Sequence, residues 1–86
     1  MAGVEEIRAG IALSNEKSQA CIAALNQGLN DLTEAQNTLN TAIQGSGDEQ
    51  VAEAQGLLME AAQTIADALG KINAGITAAN NYAARL

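Results

Sequence analysis

Gln44-Gly45-Ser46-Gly47-Asp48-Glu49 decides the fold, because it is the one clear break in a chain otherwise written in helix-forming residues. Two glycines around a serine favour a turn. Gly45 suits the left-handed residue that ends a helix, and Asp48 with Glu49 suits the start of the next, where acids meet the positive end of the helix dipole. On either side Ala, Leu, Glu and Gln dominate, and proline is absent from all 86 residues. The pattern predicts helix 1 over about residues 3–44, a turn at Gly45, Ser46 and Gly47 extending to residue 48, and helix 2 over about 48–84. A turn this short makes the helices antiparallel neighbours, so residues 1–86 form one all-α hairpin domain.

Outward from the turn, a seven-residue repeat runs through both helices. With position a at Val4, Ile11, Ser18, Leu25, Leu32 and Leu39, position d holds Ile7, Ser14, Cys21, Gly28, Ala35 and Ala42. In helix 2, a holds Val51, Leu58, Ile65, Ile72, Ala79 and Leu86, and d holds Ala54, Ala61, Ala68, Gly75 and Tyr82. The repeat predicts a coiled coil with small residues at d. Pairing a with d across the turn sets large against small in successive layers, Leu39 with Ala54, Leu32 with Ala61 and Gly28 with Ile65 among them. In that frame Cys21 is a buried structural thiol beside Ile72, and Gly28 is small in order to admit Ile65. Ser14, Ser18, Gly75 and Ala79 form a thin zone, the weakest part of the hairpin.

The same frame places Ile22, Leu29 and Ile43 of helix 1 and Leu69 and Ile76 of helix 2 at position e, on one flank. Left in water, these side chains imply a dimer or partner interface, since exposed apolar stripes mark interaction surfaces. Two hairpins closing into a four-helix bundle is the simplest use, and a paralogous or client helical protein is the other.

Composition narrows the chemistry. There is no His, a single Cys, four Lys or Arg and ten Asp or Glu, for a net charge of -6. Histidine is the commonest general base and metal ligand, and a lone cysteine cannot form an internal disulfide or a Cys-based zinc site. Glu53, Glu60 and Asp67 recur every seven residues, too far apart along a helix to share one cation. No catalytic, metal-binding or cofactor-binding residue is expected, and the chain reads as a non-enzyme. Few, scattered cations and one aromatic, Tyr82, argue against nucleic acid, including an RNA-binding bundle of the same shape. The apolar runs are too short to span a membrane, and the start, with Glu5, Glu6 and Arg8, lacks the pattern of a signal peptide. A cytoplasmic location is expected, or export without a signal peptide.

A helix–turn–helix chain of this layout resembles the small Trp-x-Gly proteins of actinobacterial type VII secretion. In Gly45-Ser46-Gly47 the second glycine matches the glycine of the family's turn motif, and the tryptophan is lacking. Tyr82 sits near the end of the chain, where members or their partners carry a Tyr followed four residues later by an acid; here Leu86 takes the acid's place. The resemblance implies a dimeric four-helix bundle, export in the folded state, and a C-terminal signal around Tyr82. Two functions are thus expected: a secretion-associated or chaperone-like interaction module, or a structural subunit that packs hairpins into a larger array.

Overall fold

In a computed structural model that describes residues 3–86, two helices, α1 (Val4–Ala42) and α2 (Glu49–Ala84), pack side by side as an antiparallel hairpin. The molecule is a rod of 63 × 18 × 16 Å with a radius of gyration of 19.3 Å. No helix is long and apolar enough to cross a membrane among the described residues.

The turn is built as its residues require. Ile43 caps α1 and donates from its backbone N–H to the Leu39 carbonyl at 3.0 Å, and Ser46 N–H reaches the Ile43 carbonyl at 2.9 Å. Gly45 takes φ +85°, the left-handed region that costs a side-chain-bearing residue roughly 1–2 kcal/mol. Asp48 is the N-cap of α2: its carboxylate accepts the Gln50 N–H at 2.7 Å, and its own N–H donates to Ser46 Oγ at 3.3 Å. Two predictions follow from this geometry. Gly45→Ala should lower stability by roughly 1 kcal/mol, and Asp48→Ala by about the same through loss of the cap. Chemical denaturation followed by circular dichroism reads both; a double variant no less stable than its parent overturns this account of the turn.

The hairpin has a seam but no closed core. Among the described residues none is buried. The half-buried positions nevertheless trace a clear line. On α1 they include Ile11, Asn15, Ser18, Ile22, Leu25, Leu29, Leu32, Gln36, Leu39 and Ile43. Steps of four and three alternate, as in a coiled-coil stripe, but the stripe joins a to e instead of a to d. The same holds on α2, where Val51, Gln55, Leu58, Ala62, Ile65, Leu69, Ile72, Ile76, Ala79 and Ala83 are all half-buried.

Two side-chain bonds fix the register. Asn15 Nδ2 donates to Asn80 Oδ1 at 2.7 Å, and Gln55 Nε2 donates to Asn40 Oδ1 at 3.1 Å. They place Leu29 near Ile65, Leu25 near Leu69 and Ile22 near Ile72, so large apolar residues meet one another along the middle of the seam. The expected large-against-small layers are therefore corrected. The physical reason is that the a and e rows together offer more apolar bulk than a and d, and burial follows the bulk.

Candidate interaction surface

Three expectations about individual residues change with the seam. Ile22, Leu29, Ile43, Leu69 and Ile76, expected in water on an uncovered flank, are half-buried in the stripe between the helices. Cys21, expected in the core, is exposed. A methyl group built at Gly28 meets nothing within 4 Å, so Gly28 is not small to admit Ile65. The thin zone is bridged rather than open: the Asn15–Asn80 bond crosses it, with Ser18 and Ala79 half-buried beside it and Ser14 and Gly75 exposed.

Moving the seam to a and e redefines the flanks. On a helix turning 100° per residue, d lies beside a, and b lies beside e. In an antiparallel pair both d rows fall on one side and both b rows on the other. The b side is mixed: Gln19, Asn26, Asn40, Asn73 and Asn80 lie there with Ala12, Ala52, Met59 and Ala66, and the two inter-helix amide bonds end on it. Gln36, Asn37, Asn40, Gln55 and Met59 line a shallow dent on that side near the turn.

The d side is small and apolar. Cys21, Ala35, Ala42 and Gly75 are exposed on it, and Gly28, Ala54, Ala61 and Ala68 are half-buried. Its larger features are Tyr82, 45% exposed, and Leu57 of the neighbouring g row, 56% exposed. Arg85 stacks over the Tyr82 ring at 6.0 Å. The turn glycines and Ser46 lie at one tip of the rod and Tyr82 near the other. The structure therefore does not gather the turn motif and the expected C-terminal signal into one site. What sequence reading missed was the d flank as a surface, because those same small residues had been assigned to the core.

Charge is unevenly spread along the rod. No Lys or Arg occurs between Lys17 and Lys71. The half nearer the turn, residues 24–70, holds Asp31, Glu34, Asp48, Glu49, Glu53, Glu60 and Asp67 and no cation. The open half sets Arg8, Lys17, Lys71 and Arg85 against Glu5, Glu6 and Glu16. The turn half thus carries -7 and the open half +1 of the net charge of -6. Among the described residues one ion pair forms, Arg8 to Glu5 at 4.0 Å; at this exposure it contributes little. No group of three potential metal ligands occurs among the described residues.

No family model matches this chain, and no curated protein or solved structure is significantly similar to it.

Proposed function

We propose that this chain is a non-enzymatic protein-interaction module, a helical hairpin that works as a dimer in a secretion-associated or chaperone-like role. The supporting observation is the absence of a closed core. The hairpin exposes 6162 Å², whereas a folded monomer of 8.8 kDa typically exposes about 4,800 Å². The difference, roughly 1,400 Å², exceeds the approximately 800 Å² each partner contributes to a standard interface. A rod of two helices with no buried residue among those described gains from a second surface what its own length cannot supply.

Light scattering coupled to size exclusion at micromolar concentration should return twice the chain mass, and the melting temperature should rise with protein concentration. A stable helical monomer with a concentration-independent melt overturns the reading. Secretion is tested separately, by looking for the protein in culture supernatant, alone or with a co-exported partner; retention inside cells removes the secretion-associated role.

A further inference from the structure

We draw no further inference here: the strongest candidate, the surface patch of small residues around Gly28, Ala35 and Gly75 on the d flank beside the seam, carries nothing because the structure does not show what covers it.

Discussion

Leu29→Glu should abolish the hairpin. The helices meet along one stripe, and Leu29 lies at its middle, half-buried near Ile65. A fully buried leucine side chain contributes roughly 1.5–3 kcal/mol, and Leu29 supplies a fraction of that within the isolated hairpin. The larger effect comes from the carboxylate, which is drawn between apolar side chains with no cation near. Arg8, Lys17, Lys71 and Arg85 all lie in the open half. A loss of about 3 kcal/mol or more is expected, a large share of the 5–15 kcal/mol typical of whole domains. Far-ultraviolet circular dichroism should show helicity falling steeply at room temperature. Cys21→Ser, at an exposed position, should change stability by less than about 0.5 kcal/mol. If instead Leu29→Glu keeps native helicity and merely dissociates dimers, Leu29 lies on an outer flank and the a/e seam is wrong.

That contrast shows where the sequence was legible. Two helices and their turn followed from Gly45 and Asp48, whose roles are local: a positive φ and an N-cap are set by a few neighbouring atoms. The seven-residue period was equally plain. What the period leaves open is which two of three adjacent rows face the partner helix. Rows d, a and e adjoin one another, and a is common to both candidate stripes. Alternating sizes favoured a with d; total apolar bulk, through Ile22, Leu29, Leu69 and Ile76, favours a with e. Row e also carries the polar Asn15, Gln36 and Gln55. Asn15 and Gln55 bond to Asn80 and Asn40 across the flank, which satisfies their amides at the edge of the seam. Such pairing depends on register, which local sequence does not encode.

Replacing Gly10, Gly56 and Gly70 together by alanine should stabilise the protein by roughly 3 kcal/mol. All three lie inside the helices, at exposed positions where an added methyl group meets nothing within 4 Å. Each glycine costs about 1 kcal/mol relative to alanine in a helix interior, because it gives up more backbone freedom on folding. Widely spaced substitutions without shared contacts should add. For a domain of this size, 1 kcal/mol corresponds to about 4–8 °C, so the melting temperature should rise by roughly 10 °C or more.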